Sequence, residues 1–571
     1  MAAALHVLGP DARRRNLDRL DTERFDVVVI GAGVTGAGAA LDAATRDLTV
    51  ALIEQRDLAS GTSSRSSKLI HGGLRYLEQL ELGLVFEALR ERGLILSTLA
   101  PHLVRPVSFL YPLQHRVWER LYVGAGVALY DAMATVSRTN VLPWHRHLSR
   151  TAALELMPAL RKDSLIGGVR YWDAQLDDAR HTMTLARTAA ALGVVVASSV
   201  RAVGLRRSGT QIDAVEARCL ETGRELTIRA KVVVNATGVW TDAIEALAGE
   251  KRRRVTASKG IHLVIPRDRI RSSTGMILRT ERSVLFLVPW GAFWIVGTTD
   301  TPWNLGLAHP AASLTDIRYI LERLNSVLDD PVLDDDVVGV YAGLRPLLTG
   351  ETDSTSKLSR EHAVAISAPG LVTVAGGKYT TYRVMARDAI DAAGEQMGVV
   401  LQPTNTARTP LLGAEGLGRT RAAAAALAAR AGVPVAEIER MIGRYGTLTE
   451  DLGDLMAGSP ALAQPVAGAP GYRRAEIHYA ASHEGALHLD DVLTRRTRIS
   501  IETADRGLAA AVDAADILRG VLGWDAATVD RELAHYRARV AAERESQATP
   551  NDDTADAARM GAPDVRTGTA E

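Results

Sequence analysis

Apolar, β-branched residues crowd Phe25-Asp26-Val27-Val28-Val29-Ile30, and a glycine stops the run, which predicts a buried strand. The Ala-rich stretch Val34 to Arg46 is helix-favouring, and Thr49 to Glu54 is a second apolar run. Residues 25–54 therefore read as a strand–helix–strand unit whose parallel strands need a right-handed crossover. Helical periodicity runs over Leu82 to Leu99, and Gly193 to Val200, the alternating Ile212 to Cys219, and Lys231 to Val234 predict further strands of the same or an adjoining sheet. Between Gly260 and Gly297 the pattern changes. Leu285 to Val288 and Phe293 to Val296 flank a short Gly-containing turn, as in an antiparallel sheet. Leu371 to Val374 predicts a short strand that runs into Gly376-Gly377 and a helical stretch to about Gln396. After Pro403 the chain is Ala-rich and helical to about residue 543, and the polar end from Ser546 predicts disorder. No internal repeat is present.

At roughly 150 residues per domain, 571 residues suggest three to four domain-sized units. The expected division is an exposed N-terminal extension (1–24) and a discontinuous nucleotide-binding domain (25–400) carrying an inserted substrate-binding domain (about 80–150 and 258–345). A helical domain (401–545) and a disordered tail (546–571) complete it. The fold class is α/β, α+β overall.

Lys plus Arg and Asp plus Glu both number 67, so a non-specific polyanion binder is excluded and no nucleic-acid partner is expected. Hydrophobic residues at 47% against 23% charged exclude a mainly disordered chain. The single cysteine, Cys219, rules out an intrachain disulfide, a Cys-x-x-Cys pair and cysteine-clustered metal sites. Redox chemistry would then need an organic cofactor, and the expected compartment is the reducing cytoplasm. Arg13-Arg14-Arg15 precedes the charged stretch Asn16 to Arg24 rather than an apolar run, so it does not read as a twin-arginine signal. The longest apolar run, Val27 to Leu41, carries four glycines and falls short of the ~18 to 20 residues a membrane span needs.

Gly31-Ala32-Gly33-Val34-Thr35-Gly36 sits between the first strand and the first helix. There the first glycine permits the turn, the second admits a pyrophosphate, the third lets helix and strand pack, and the helix N-terminus offers N–H groups to phosphate. Glu54, 23 residues after Gly31 at the end of the second strand, can accept ribose hydroxyls and argues against a 2′-phosphate. FAD and NAD both fit. Asn235-Ala236-Thr237-Gly238, after a Val-rich strand, resembles the second nucleotide-side motif of flavoproteins. Ser60 to Tyr76 combines hydroxyl residues, glycines and titratable side chains suited to wrapping a polar cofactor.

These residues resemble the FAD-dependent glycerol-3-phosphate dehydrogenases, with Ser66-Ser67-Lys68-Leu69-Ile70-His71-Gly72-Gly73-Leu74-Arg75-Tyr76-Leu77-Glu78 the most specific signature. The likeness continues through Trp172 to Arg180, Asn235 to Trp240, Gly297 to Asp300, Gly343 to Pro346, Gly376 to Arg383 and Leu489 to Thr497. It implies a two-dinucleotide-binding flavoprotein fold with an antiparallel substrate domain and a C-terminal helical domain. It implies FAD as cofactor and glycerol 3-phosphate as substrate, oxidised to dihydroxyacetone phosphate by hydride transfer from C2 to flavin N5, with a membrane quinone as acceptor. Molecular oxygen as acceptor and a non-catalytic flavin sensor are the alternatives.

The cofactor residues so implied are Gly31, Gly33, Val34, Thr35, Gly36, Glu54, Gln55, Ser63, Ser64, Ser66, Ser67, Lys68, Leu69, His71, Gly72, Gly73, Ala236, Thr237, Gly238, Arg345, Gly377, Lys378 and Thr380. Arg345, Lys378 and Arg75 suit a phosphate dianion, while Tyr76, Thr381 and Arg360 match family positions near substrate or cofactor. Gly376-Gly377 before a helix can face negative charge developing on reduced flavin. His71 is either the general base, beside Arg345 and Lys378 as the catalytic set, or a hydrogen-bonding ligand of the flavin. Some family members carry calcium-binding hands, but Asp334-Asp335-Asp336 has Val338 at a ligand position and Arg345 at the twelfth, so no metal is expected. Trp118 to Met133 between Arg116, Arg120 and Arg138, together with Lys251-Arg252-Arg253-Arg254, fits either peripheral membrane contact or a core helix with a solvated loop. Homo-oligomerisation through the helical region is compatible with the sequence, which holds no periodic seam to fix it.

Overall fold

The computed structural model describes residues 5–73, 81–115, 118–136, 141–249, 255–280, 284–349, 362–562 and 564–566. Its first sheet has eight strands in the order His362–Ala368, Leu371–Gly376, Glu225–Asn235, Arg24–Ile30, Val50–Ile53, Val195–Ala197, with the hairpin Val200–Ser208/Gln211–Cys219 attached to Glu225–Asn235. Arg24–Ile30 pairs in parallel with Val50–Ile53 on one side and Glu225–Asn235 on the other. Both faces of this strand are covered, which explains the unbroken apolar run over 27–30. Val27 and Val29 join a core with residues of the helices Val34–Ala44, Asp178–Ala191 and Tyr382–Met397. Val28 and Ile30 meet Leu17, Leu20 and Ile228 on the other side. Each such side chain, fully buried, contributes about 1.5–3 kcal/mol.

The second sheet has ten strands in the order Thr301–Trp303, Val255–Pro266, Phe293–Gly297, Val284–Trp290, Gly275–Arg279, Val104–Leu113, Gly167–Leu176, Leu69–Ile70, with Gly339–Leu348 beside Val255–Pro266 and Arg146–Ser149 beside Gly167–Leu176. The hairpin expected around Leu285 and Ile295 is there, with Val288 opposite Ile295. Gly167–Leu176 falls outside the range expected for the inserted region, yet it joins Val104–Leu113, Arg146–Ser149 and Leu69–Ile70. Because Leu69–Ile70 is an edge strand here, the signature segment itself carries the chain from the first sheet to the second.

Both ends of the chain differ from expectation. The helix Pro10–Thr22 buries Leu17 and Leu20 against Phe25 and Ala230, so this extension is packed rather than exposed. At the other end, the helix Ala526–Ala548 is followed by Asp552–Met560, with Asn551 as N-cap accepting from the Thr554 N–H at 3.0 Å. Ala555 packs with Trp303 and Leu344, and Arg566 pairs with Asp491 at 2.9 Å. The tail expected to be disordered is therefore folded through residue 562, and Arg566 is held by its ion pair, because polar composition is offset by a cap, one apolar stripe and buried ionic partners supplied from elsewhere. Residues 567–571 lie outside the described residues.

The helical region is interrupted by a hairpin, Pro465–Val466 with Ala469–Arg473. It is joined to the first sheet by buried charge. Asp57, fully buried, accepts from Arg495 Nε at 2.6 Å and from Arg496 Nη1 and Nη2 at 2.8 and 2.7 Å. Arg498 pairs with Asp177 and, at 2.6 Å, with Asp178. The segment Asp490 to Arg498 is thus an ionic clamp between the two parts of the chain.

Candidate functional site

A cavity of about 420 Å³ opens at the carboxyl ends of Arg24–Ile30, Val50–Ile53 and Glu225–Asn235. Ligands bind at this end of a parallel sheet because the loops there carry free backbone donors and glycine turns. Gly31, Gly33, Val34, Thr35, Glu54, Gln55, Ser63, Ala236, Thr237, Gly238, Gly377 and Lys378 line it, all of them expected from the sequence.

The glycines are required by contact. Gly31 has φ +101°, and a Cβ there would lie 2.8 Å from the Ala236 carbonyl oxygen. A Cβ on Gly36 would lie 1.8 Å from the Gly31 carbonyl oxygen, so the helix Val34–Ala44 can reach the strand only with glycine at this point. Ser63 Oγ accepts from the Val34 N–H at 2.9 Å, holding a hydroxyl at the positive end of the helix. Glu54 accepts from the Ala32 and Arg56 N–H groups, both at 2.9 Å. Burial pushes the Glu54 carboxyl up against those bonds. Each oxygen keeps a lone pair for a ribose hydroxyl. Glycine cradle, helix N-terminus, carboxylate and volume together fit a dinucleotide.

The signature segment is placed differently, because most of its side chains are engaged in holding the segment itself. Lys68 is fully buried, with φ +60°, and its Nζ donates to the Ser64 carbonyl and to Asp178, both at 2.6 Å. Burial and the Arg498 charge lower the Lys68 ammonium to about 8 despite Asp178. This side chain is held by Ser64 and Asp178 and is not among the residues that line the cavity. Ser66 accepts from the Lys68 N–H at 3.1 Å and gives its own N–H to Asp178. Gly72 donates its N–H to Tyr130 Oη at 2.7 Å, and a Cβ there would meet Leu89 at 2.5 Å. Leu69 is in the edge strand, Gly73 takes a positive φ, and Ser64 is buried in the turn Thr62–Ser64. His71 stands with its ring 6.5 Å from that of Phe286, and its main chain exchanges hydrogen bonds with Thr380 Oγ1.

Arg345 lies in Gly339–Leu348, donating to Thr298 Oγ1 at 3.1 Å and to the Thr299 carbonyl at 3.2 Å, with Asp300 at 3.5 Å. Its neighbour Pro346 lines the cavity. Gly376 and Gly377 have φ of +75° and +78°, and Thr381 Oγ1 donates to the Lys378 carbonyl at 3.4 Å. Arg75, Tyr76, Arg360 and the cluster Lys251 to Arg254 lie outside the described residues.

Sequence reasoning missed His262. It is buried in Val255–Pro266, with Nε2 hydrogen-bonded to Ser67 Oγ at 2.8 Å and its ring stacked on Tyr341 at 4.8 Å. Burial, and then the Arg345 and Lys68 charges, hold its pKa well below the ordinary value, so the imidazole is neutral. Its signal was available: Lys259, Gly260 and His262 interrupt a strand that ends in the apolar run 263–266.

On another face, the helix Trp118–Val136 exposes Leu121, Tyr122 and Leu129, and Leu82 and Phe86 of the neighbouring helix Leu82–Leu94 are also exposed. No helix among the described residues is long and apolar enough to cross a membrane.

Residues 26–383 match the family model described as FAD dependent oxidoreductase, and residues 404–529 match the C-terminal domain of alpha-glycerophosphate oxidase. The chain is 56% identical over 560 residues to glycerol-3-phosphate dehydrogenase 2 of Mycobacterium tuberculosis, covering 98% of this chain and 95% of that one. It is 36% identical over 552 residues to the human mitochondrial glycerol-3-phosphate dehydrogenase, covering 90% and 73%. Among solved structures, the glycerol-3-phosphate dehydrogenase of Bacillus halodurans complexed with FAD aligns with a TM-score of 0.77 at 26% identity, over 93% of this chain and 98% of that one.

Proposed function

The chain belongs to the FAD-dependent oxidoreductase family, and from that premise we propose that it oxidises sn-glycerol 3-phosphate to dihydroxyacetone phosphate and passes the electrons to a quinone. The observation that carries the reading is the 56% identity to a glycerol-3-phosphate dehydrogenase along 98% of the chain. Bound FAD supplies the two-electron acceptor for the hydride leaving C2.

The chain's own residues do the rest. Backbone N–H groups at the start of Val34–Ala44, with Ser63, would hold the pyrophosphate, and Glu54 the ribose. Gly376 and Gly377, both at positive φ, can turn their N–H groups toward developing negative charge without a side chain in the way. Arg345 offers a fork and Lys378 a point charge to the substrate phosphate. Arg75, Tyr76, Arg360 and Thr381 are assigned to the substrate on motif alone. The C2 hydroxyl must lose a proton, and two histidines are suited to accept it, His71 beside Thr380 and His262, which its surroundings keep neutral. The exposed apolar residues of Trp118–Val136 support peripheral contact with the membrane that holds a quinone pool.

The test is anaerobic. Substrate should bleach the flavin, and a soluble quinone analogue should restore its absorbance rapidly while air does not. A flavin that stays oxidised with substrate would overturn the substrate assignment, and rapid recovery in air with release of hydrogen peroxide would make the enzyme an oxidase. His71→Asn and His262→Asn, compared by the pH profile of flavin reduction, identify the base as the one whose loss removes the acidic limb.

A further inference from the structure

Beside the cofactor cavity, with Arg56 and Ser60 in the walls of both, lies a second, smaller one of about 100 Å³, lined by the turn after Ser60, the loop around His309, the strand Gly339–Leu348, the helical domain and the folded C-terminal segment. Its walls are crowded with arginine. Most of these are neutralised: Arg495 by Asp57, Asp490 and Asp491, Arg498 by Asp177 and Asp178, and Arg539 by Asp490 and Glu543. Two are not. Arg65 donates to the Ala308 carbonyl at 3.4 Å and has no carboxylate within ion-pair distance among the described residues. Arg559, buried, has as its polar partner His309 Nδ1 at 3.2 Å, and likewise no carboxylate. Ser500, 2% exposed, lines the same space with an Oγ that has no hydrogen-bond partner among the described residues.

Leaving the buried Arg559 guanidinium and Ser500 hydroxyl, beside the half-buried Arg65, without anionic partners is costly. Burial, with the Arg495 and then the Arg559 charge, lowers Arg65 to about 9, and burial followed by the Arg539 charge lowers Arg559 to about 10. His309 is driven to about 3, chiefly by burial. The C-terminal segment already answers part of this field with a carboxylate, Asp564, 3.3 Å from Arg56 and 3.7 Å from His309.

We propose that this cavity is a binding site for a small oxyanion of the phosphate class, held by the forks of Arg65 and Arg559 and the hydroxyl of Ser500, and separate from the cofactor and substrate cavity. Its volume is about a quarter of the 420 Å³ of the cofactor cavity, in keeping with a small ligand rather than a dinucleotide. Arginine forks match tetrahedral oxyanions with two parallel N–H···O bonds, and serine supplies a third donor. Because the walls come from the loop 56–65, the second sheet, the helical domain and the C-terminal segment, an anion there would fasten all four.

The holoenzyme is dialysed against labelled inorganic phosphate at fixed ionic strength, with chloride as the balancing anion. Two saturable sites per chain are expected, one in the substrate cavity and one here. Lys378→Met should remove the first and keep the second. Arg559→Gln and Ser500→Ala, each with FAD retained, should weaken the second at least tenfold and leave the first. In Lys378→Met, displacement of the label by glucose 6-phosphate would show that an esterified phosphate is accepted, whereas no displacement would define the ligand as the free anion. The proposal is overturned if Lys378→Met binds no phosphate, or if the remaining site is indifferent to both Arg559→Gln and Ser500→Ala.

Discussion

Replacing Asp57 with alanine should unfasten the helical domain from the cofactor-binding sheet. Asp57 is fully buried and receives three hydrogen bonds of 2.6–2.8 Å from two buried arginines. Arg495 would keep Asp490 and Asp491, but Arg496 would keep only the Glu484 carbonyl, at 3.0 and 3.1 Å. The loss therefore concentrates on Arg496 as an uncompensated buried cation, a change that costs about 3–5 kcal/mol. At roughly 2–4 °C per kcal/mol for a domain of 150–250 residues, the unfolding midpoint should fall by roughly 6–20 °C. Asp57 is two residues beyond Gln55, which lines the cofactor cavity, so flavin release should move with it. The assay follows flavin fluorescence and tryptophan emission during heating of the holoenzyme. Asp57→Leu combined with Arg496→Met removes both charges and should recover most of the loss, because an apolar pair can replace a buried ion pair at little cost. A midpoint that falls by less than about 2 °C in Asp57→Ala, or a double variant no better than the single, would refute the reasoning.

Gly36→Ala should give colourless protein, since its Cβ would need space held by the Gly31 carbonyl, and visible absorbance after purification checks it. Burial and the Arg566 charge act against a cationic His488, yet hydrogen bonds to Glu221 and Glu532 raise it to about 9. Its contribution to stability is thus full below the unfolded value of ~6.5 and lost as pH rises through about 9. Chemical denaturation of His488→Gln against the parent should show a difference at pH 6 that closes by pH 10. The buried histidines His102, His181 and His309, lowered to between about 3 and about 4, act in the opposite sense: their contribution is present above ~6.5 and lost as pH falls toward those values, so the holoenzyme should lose stability between pH 6 and pH 4. Leu121→Asp with Leu129→Asp should lower co-sedimentation with anionic lipid vesicles while leaving anaerobic flavin reduction in solution unchanged.

The nucleotide-binding unit could be read from the chain because its signals are local. A strand buried on both faces has no polar alternation, and the spacing from Gly31 to Gly36 is a local motif, with the Gly36 position dictated by the Gly31 carbonyl five residues before it. The change to an antiparallel sheet near Leu285 was legible for the same reason, since a hairpin closes on itself. What the tertiary structure decided depends on groups far apart in sequence. Lys68 belongs to a signature segment, but Asp178, 110 residues on, turned it inward. His262 acquired its setting from Ser67, Tyr341 and Arg345, none of them near it along the chain. The polar tail folds because Asp491 and Trp303 wait for Arg566 and Ala555. Local composition fixes where a strand, a helix or a glycine turn can form, while desolvated charge is settled only by the partner that arrives from another element, and that partner is known only once the chain has closed.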